Sequence, residues 1–344
     1  IPPEWEKQLK NLNERVRWMK YTLGFASFGF LFNMMTVFAL YLDNLFFARF
    51  IFGSCCLAMI ISVLFFIRDI FVSTETLKLH LSDMKINIER GLLLKVLNHI
   101  QGVVERRNTI PILSNVRFDA PDGKLSLNAT DLDIDIVETV AADVLTPGAI
   151  TAPAHTLYDI VRKLTDGAQV ELDCTGDDSQ LTLSAGRSKF KLSCLPTEDF
   201  PIISAGELPN NFSITSTDLR GLIDRTKFAI STEETRYYLN GIYLHVVENN
   251  GSSLLRAVAT DGHRLASADL PMPEGAEGMP GVIVPRKAVL EIRKLIDESA
   301  DEVNVGLSDT KIKFSFAGTT LTSKLIDGTF PDYNRVIPEE TTTN

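Results

Sequence analysis

Ala129-Thr130-Asp131, followed by Pro147-Gly148-Ala149-Ile150, Pro153, Leu157, Ile160, Lys163-Leu164, Phe190, Leu195 and Phe200-Pro201, has a second copy downstream. The series returns about 130 residues later as Ala259-Thr260-Asp261, Pro280-Gly281-Val282-Ile283, Pro285, Leu290, Ile292, Lys294-Leu295, Phe314, Leu325 and Phe330-Pro331. Order, spacing and residue type agree, so the C-terminal three quarters of the chain is a tandem duplication of one domain. Each copy opens on a helical pattern, Leu92 to Val103 and Leu219 to Ala229. Apolar and polar residues alternate over 125–137, 181–195 and 311–325, the signature of strands with one buried face. Helices are expected over 88–104, 155–165, 217–230 and 286–298. The fold class is therefore α+β, with antiparallel sheets carrying two helices per copy. The copies are expected at 84–204 and 205–338, joined near 202–212, each with its own core.

Upstream of the repeat the composition changes. The chain has 344 residues, a formal net charge of -10 and 45% hydrophobic residues, but residues 21–67 hold only Asp43 and Arg49 as charges. Two apolar runs, 21–42 and 45–67, each approach the length that crosses a hydrocarbon core of roughly 30 Å. They are separated by the polar break Asp43-Asn44, and together read as a transmembrane helical hairpin behind a basic amphipathic helix, all within 1–83. A signal peptide would need a small-residue cleavage site, which is missing. A buried soluble helix pair is the remaining alternative. Lys7, Lys10, Arg15, Arg17 and Lys20 precede the first run, and Arg68 and Lys78 follow the second. Both ends of the hairpin are then expected on the cytoplasmic side, with residues 84–344 cytoplasmic. The chain opens on Ile1 and closes on the polar run Glu339 to Asn344, so both ends are expected to be cut from something longer.

An acidic total excludes a chain coated in positive charge, so nucleic-acid binding depends on where Lys and Arg cluster. They cluster on the predicted helices: Lys95; Arg162 and Lys163; Arg220, Arg225 and Lys227; Arg286, Lys287, Arg293 and Lys294. Helices packed side by side would offer these to a phosphate backbone without reading sequence. The plainer account is that amphipathic helices carry such residues on their solvated faces. Cys55 and Cys56 lie in the apolar segment and Cys174 and Cys194 far apart in the repeat, spacings that suit neither zinc nor a disulfide framework. Cys174 and Cys194 read as reduced packing residues.

The repeat resembles a known family. Met84-Lys85-Ile86-Asn87-Ile88-Glu89-Arg90, Thr109-Ile110-Pro111-Ile112-Leu113-Ser114-Asn115, Ala129-Thr130-Asp131-Leu132-Asp133, Arg236-Tyr237-Tyr238-Leu239-Asn240-Gly241, Ala259-Thr260-Asp261-Gly262-His263-Arg264-Leu265, Val284-Pro285-Arg286-Lys287 and Phe330-Pro331-Asp332-Tyr333 match the first two domains of bacterial DNA polymerase III beta sliding clamps, in order. The resemblance implies a DNA-encircling processivity factor with sheets outside and helices lining a channel. It implies a homo-oligomeric ring of six such domains in two subunits, and no catalysis. A third domain would follow residue 338, so 339–344 read as the start of a truncated linker. Residues 4–83 are similar, more loosely, to a family of small multi-span bacterial membrane proteins of unknown function, through a basic helix and a hairpin ending in Phe66-Ile67-Arg68-Asp69.

The resemblance assigns two sites. Arg107, Arg236, Tyr237 and Tyr238 match positions that touch duplex DNA. Leu239, Thr260, Gly262, His263, Arg264, Leu265, Pro331, Arg335 and Val336 match a surface pocket. There the family captures short motifs of the Gln-Leu-x-Leu-Phe kind from polymerases, clamp-loader subunits and repair proteins. On the residues alone, Arg with two aromatics also suits single-strand contact, and a packed Tyr pair is the ordinary alternative. Asp131, Asp133 and Asp135 alternate so as to share one strand face, as carboxylate metal ligands do, but without His partners they read as a solvated strand face. His263 lacks a nucleophile or a phosphate-cradling loop beside it, so no enzyme, cofactor or metal is expected. Two other readings stand beside the clamp. One is a membrane protein of unknown function carrying a peptide-binding module, and the other an artefactual join of two neighbouring reading frames near Met84.

Overall fold

The computed structural model describes residues 3–41, 45–79, 84–106, 109–121, 123–174, 180–203, 206–249, 251–296 and 302–337. They fall into two compact units, Ile1–Ser82 and Asp83–Asn344.

The first unit is a pair of packed helices, α1 (Pro3–Tyr41) and α2 (Leu45–Leu79). Both contain a window long and apolar enough to cross a membrane, Lys20–Phe38 and Arg49–Arg68. The polar break at Asp43 lies outside the described residues. Small and polar groups face inward: Cys55 Sγ donates to the Gly29 carbonyl and Ser62 Oγ to that of Thr22, each at 3.1 Å. The large apolar side chains face out, with Leu23 72%, Phe30 69% and Phe46 86% exposed. That inverts the pattern of a soluble helix pair and suits a lipid surround, in which close backbone approach and interhelical hydrogen bonds replace a hydrophobic core.

In the second unit the duplication is visible in strand order. One antiparallel sheet of the first copy runs Asp143–Thr146, Met84–Glu89, Gln169–Cys174, Gln180–Ala185, Ser188–Ser193. Its counterpart in the second copy runs Asn210–Thr215, Glu302–Leu307, Lys311–Phe316, Thr319–Lys324. The other sheet runs Ile134–Ala141, Lys124–Thr130, Asn115–Ala120, Gly148–Pro153, matched by Leu265–Pro271, Ser252–Thr260, Gly241–Asn249, Val282–Pro285. Each copy adds one helix after its first strand and one midway, after Gly148–Pro153 in the first copy and Val282–Pro285 in the second. These are α3 (Arg90–Ile100) and α4 (Ala154–Lys163), then α5 (Ser216–Thr226) and α6 (Arg286–Leu295). Pro153 and Pro285 end their strands and stand at the N-caps of α4 and α6, and the Thr215 hydroxyl accepts the Asp218 N–H to start α5. The helices touch in the order α4, α3, α6, α5, so all four form one layer.

Two expectations are corrected. The alternating runs, expected only as strands, hold hairpins whose turns the pattern did not mark. Gly186-Arg187 separates Gln180–Ala185 from Ser188–Ser193, and Ala317-Gly318, both at positive φ, separates Lys311–Phe316 from Thr319–Lys324. A two-residue turn preserves the parity of the alternation, so periodicity cannot detect it. Likewise 125–137 breaks at Asp131–Asp133, where Leu132 takes φ 79. Nor do the copies keep separate cores, because their buried side chains form one contiguous cluster from Met84 to Leu321. The reason is a strand pairing across the copies: Thr319 opposes Glu138, Leu321 Ile136, Thr322 Asp135 and Ser323 Ile134, making one eight-stranded sheet. Around it Lys287 of α6 pairs with Asp131 and donates to the Val103 carbonyl, and Lys324 pairs with Asp133 at 3.1 Å. The buried Glu291 carboxylate packs where Gly102 has no side chain, and any Cβ there would collide with it.

Candidate DNA and peptide interfaces

The helix layer carries the cations that the sequence singled out, most of them placed by the helix dipole. Arg162, Lys163, Arg225, Arg293 and Lys294 all sit in last turns, where positive charge is favourable. Several are neutralised locally: Lys227 and Arg293 both bind Asp224, Arg162 binds Asp159 and Lys294 binds Glu291. Led by the Arg293 hydrogen bond, the contacts from Arg293 and Lys227 hold the Asp224 carboxyl at about 2. Lys163, Arg225 and Arg286 are exposed and have no ion pair among the described residues. They, rather than the whole set, are the charges a polyanion would meet.

Of the expected DNA contacts, Arg107 lies outside the described residues. Arg236 forms a two-pronged contact with Glu233, at 2.7 and 2.6 Å, and lies against Gly262, where a Cβ would fall 2.5 Å from its Nη1. The arginine's hydrogen bonds hold the Glu233 carboxyl below its ordinary value. Tyr237 is 53% exposed. Tyr238 is half-buried and meets Tyr237 edge to face at 5.8 Å.

Of the expected pocket residues, Leu239 and Leu265 belong to a small apolar cluster apart from the main core. Leu239, Val258, Ile283, Phe330 and Tyr333 are its buried members, with Tyr238, Tyr243, Leu265 and Ile326 packed on them. Leu239 is only 4% exposed, so it lies beneath the surface instead of lining an open floor. Thr260 to Leu265 is a tight turn. The Asp261 carboxylate accepts the N–H groups of His263 and Arg264, both at 3.0 Å, and these bonds pull its pKa to about 2. The Thr260 hydroxyl donates to the Arg264 carbonyl at 2.7 Å. Arg264 bonds Asp261 and lies over the Phe228 ring at 5.7 Å, where it lines a second groove with Lys227, Glu233, His263 and Arg286. Pro331, Arg335 and Val336 follow on an exposed segment, Val336 at 69%, with Arg335 held to Asp332 at 3.0 Å.

What holds that segment was not anticipated. Tyr243 stacks on Phe330 at 4.9 Å and on His245 at 4.3 Å, and His245 Nε2 meets the Tyr333 hydroxyl at 3.0 Å. Arg256 also donates to that hydroxyl, at 3.5 Å, while gripping Asp269 at 2.6 and 2.7 Å. The i, i+2 spacing of Tyr243 and His245 on one strand face was the available signal. Burial, then the charge of Arg256, pushes the His245 imidazole down to about 4. An unfolded histidine binds a proton near 6.5, so the folded state is penalised as pH falls from about 6.5 to 4. Acid unfolding should therefore show a stability loss in that window that His245→Asn reduces. Tyr333→Phe should lower the peptide affinity proposed below and cost about 1 to 3 kcal/mol of stability at pH 7, read by chemical unfolding.

Asp131, Asp133 and Asp135 do not form the expected solvated face. Asp131 accepts the N–H groups of Asp133 and Ile134 and binds Lys287, Asp133 is exposed, and Asp135 is 4% exposed. Among the described residues no group of three metal-ligating side chains is assembled. Cys174 and Cys194 are free thiols, and their mutual hydrogen bond and burial raise the Cys194 thiol.

Residues 84–204 match the DNA polymerase III beta subunit N-terminal domain and 213–332 its central domain. Residues 2–79 match a protein of unknown function, DUF2721. The beta sliding clamp of Caulobacter vibrioides is 56% identical over 257 residues, 75% of this chain and 69% of that protein. That of Pseudomonas aeruginosa is 46% identical over 74% of this chain and 68% of its own length. A crystal structure of the DNA polymerase sliding clamp from Caulobacter crescentus superposes with a TM-score of 0.72 at 56% identity, covering 75% of this chain and 69% of that one. With the duplicated sheets, the helix layer and these identities, the chain belongs over residues 84–332 to the beta sliding clamp family of DNA polymerase III.

Proposed function

We propose that residues 84–337 serve as a processivity clamp that slides on duplex DNA in the cytoplasm. It assembles with further clamp domains into a ring and tethers polymerase, clamp-loader and repair proteins through short peptides, without catalysis of its own. The observation that carries this is the unbroken layer α4, α3, α6, α5 with Lys163, Arg225 and Arg286 exposed and unpaired among the described residues. Such a layer binds phosphates by counterion release, so affinity should fall steeply with salt and be indifferent to sequence. Replacing all three cations by Gln should reduce the slope of log K against log salt by roughly 3, about 0.9 for each lost phosphate contact. An unchanged slope in fluorescence anisotropy titrations of duplex DNA would remove the helix layer from the interface. Arg236→Ala should matter less, because its charge is already matched by Glu233. In this reading Tyr237 meets DNA at the layer's edge, Arg107 assists it, and the apolar hairpin anchors the chain to a membrane.

A second reading is favoured by one observation: family matches of different kind end at 79 and begin at 84. Two neighbouring reading frames joined between them would leave the hairpin without a role in the clamp's work. A transcript and a single polypeptide spanning codons 75–90 in the source cells would refute that reading, and an in-frame stop in genomic DNA would establish it.

A further inference from the structure

The duplication gives the small cluster around Leu239 a counterpart in the first copy. Asn115 faces Pro153 as Gly241 faces Pro285, which sets Leu113 at the position of Leu239, Ile112 at that of Tyr238 and Ile110 at that of Arg236. Thr130 opposes Asp135 as Thr260 opposes Leu265, and Leu132 and Gly262 take positive φ at the same place in their turns. Phe200-Pro201 matches Phe330-Pro331, so Ile202 stands where Asp332 does. Ile112, Leu113 and Phe200 are buried together with Leu195 packed on them, a reduced version of the second copy's cluster.

The surfaces over the two clusters differ in chemistry. On the second copy Arg236 lies against Gly262, His263 and Arg264 follow, and Arg335 is exposed, so the surface is basic. On the first copy Ile110 and Leu132 replace Arg236 and Gly262, and Asp133 replaces His263. Ile110 is 45% exposed, Leu132 38% and Ile202 67%. Single exposed apolar residues are ordinary, but these three fall at counterpart positions of one surface. Glu198 and Asp199, just before Phe200, are exposed and have no ion pair among the described residues. The exposed Asp133 pairs with the exposed Lys324 at 3.1 Å.

We infer that the first copy carries a docking surface of its own, for a short peptide that sets apolar side chains among lysines or arginines. The location rests on the peptide reading of the second copy, whereas the kind of partner rests on charge. Carboxylates at the rim repel a phosphate backbone and an anionic lipid surface alike, and favour cations beside the buried anchors. Apolar anchors supply affinity and the rim selects, so the two copies prefer peptides of opposite charge.

The test uses the full chain in a mild detergent at physiological salt, with two labelled peptides read by fluorescence anisotropy. One is Lys-Lys-Leu-Ser-Leu-Phe-Lys-Lys, and the other has Glu for each Lys. The lysine peptide should bind about tenfold tighter, and Glu198→Lys with Asp199→Lys should reverse the order. Ile110→Ser with Ile202→Ser, both at exposed positions, should weaken the lysine peptide about tenfold, as loss of one well-buried anchor does. Equal affinity for the two peptides, or a lysine peptide indifferent to the Ile110 and Ile202 changes, overturns the inference. Loss of the lysine peptide with Val336→Asp alone would place it on the second copy, overturning this inference and leaving the earlier reading intact. A change of mass in light scattering on altering Ile110 and Ile202 would show another copy of the chain on the patch, and overturns it as well.

Discussion

Asp135→Asn should stabilise the chain by about 2 to 4 kcal/mol at pH 8 and change it little at pH 4. The carboxyl lies in the strand pair that joins the two copies, opposite Thr322, and one of its oxygens has no hydrogen-bond partner. Burial raises its pKa from 3.8 to about 7, against the lowering effect of a hydrogen bond from Asn128. Below pH 3.8 the acid is protonated folded and unfolded alike. Between 3.8 and 7 the folded state holds a proton that the unfolded state releases, so stability falls as pH rises and the loss is complete above 7. A shift of about three units at roughly 1.4 kcal/mol each sets the upper bound. The neutral amide escapes this loss. His245 contributes a slope of opposite sign in the acid range, so the comparison is between variant and parent at each pH. Equal effects at pH 4 and pH 8 in chemical unfolding would show that the carboxylate is satisfied in the fold and that the effect is steric.

Why Asp135 was read as solvated shows where the sequence is transparent and where it is not. Alternation reports that one face of a strand is buried, and landmarks repeated at a fixed interval report a duplication. Those local signals located all four helices of the repeat to within a few residues. Asp135 lies instead opposite Thr322, a residue of the other copy, in a pairing that no window around 135 contains. The same limit hid the shared core and the Lys287 contact with Asp131. It also hid the Tyr333 hydroxyl, whose partners His245 and Arg256 lie on two neighbouring strands. Two-residue turns are invisible for a different reason, since they leave the parity of the pattern intact. The pocket residues came from resemblance, and of these Leu239 and Leu265 share one small apolar cluster that no local pattern announced.

For that cluster, Leu239 and Val336 should separate cleanly under substitution. Leu239 is 4% exposed and packed with Val258, Ile283, Phe330 and Tyr333. Cutting its isobutyl side chain back to a methyl leaves a cavity as well as losing transfer energy, so Leu239→Ala should cost about 2 to 5 kcal/mol of stability and weaken peptide binding through collapse of the surface above it. A charge there would be buried without a partner, and Leu239→Asp would report on folding more than on recognition. Val336 is 69% exposed beside Arg335 and should contribute almost nothing to the fold, within about 0.5 kcal/mol. If a peptide of the Gln-Leu-x-Leu-Phe kind seats its apolar side chains on this surface, Val336→Asp should lower its affinity tenfold or more with unfolding unchanged. That follows because one well-buried Leu or Phe is worth roughly 1.5 to 3 kcal/mol. Calorimetric titration of the peptide into both variants, alongside their denaturation curves, decides the assignment. Binding that survives Val336→Asp but fails with Leu239→Ala would move the contact away from the 331–336 segment, toward the turn at Thr260 to Leu265.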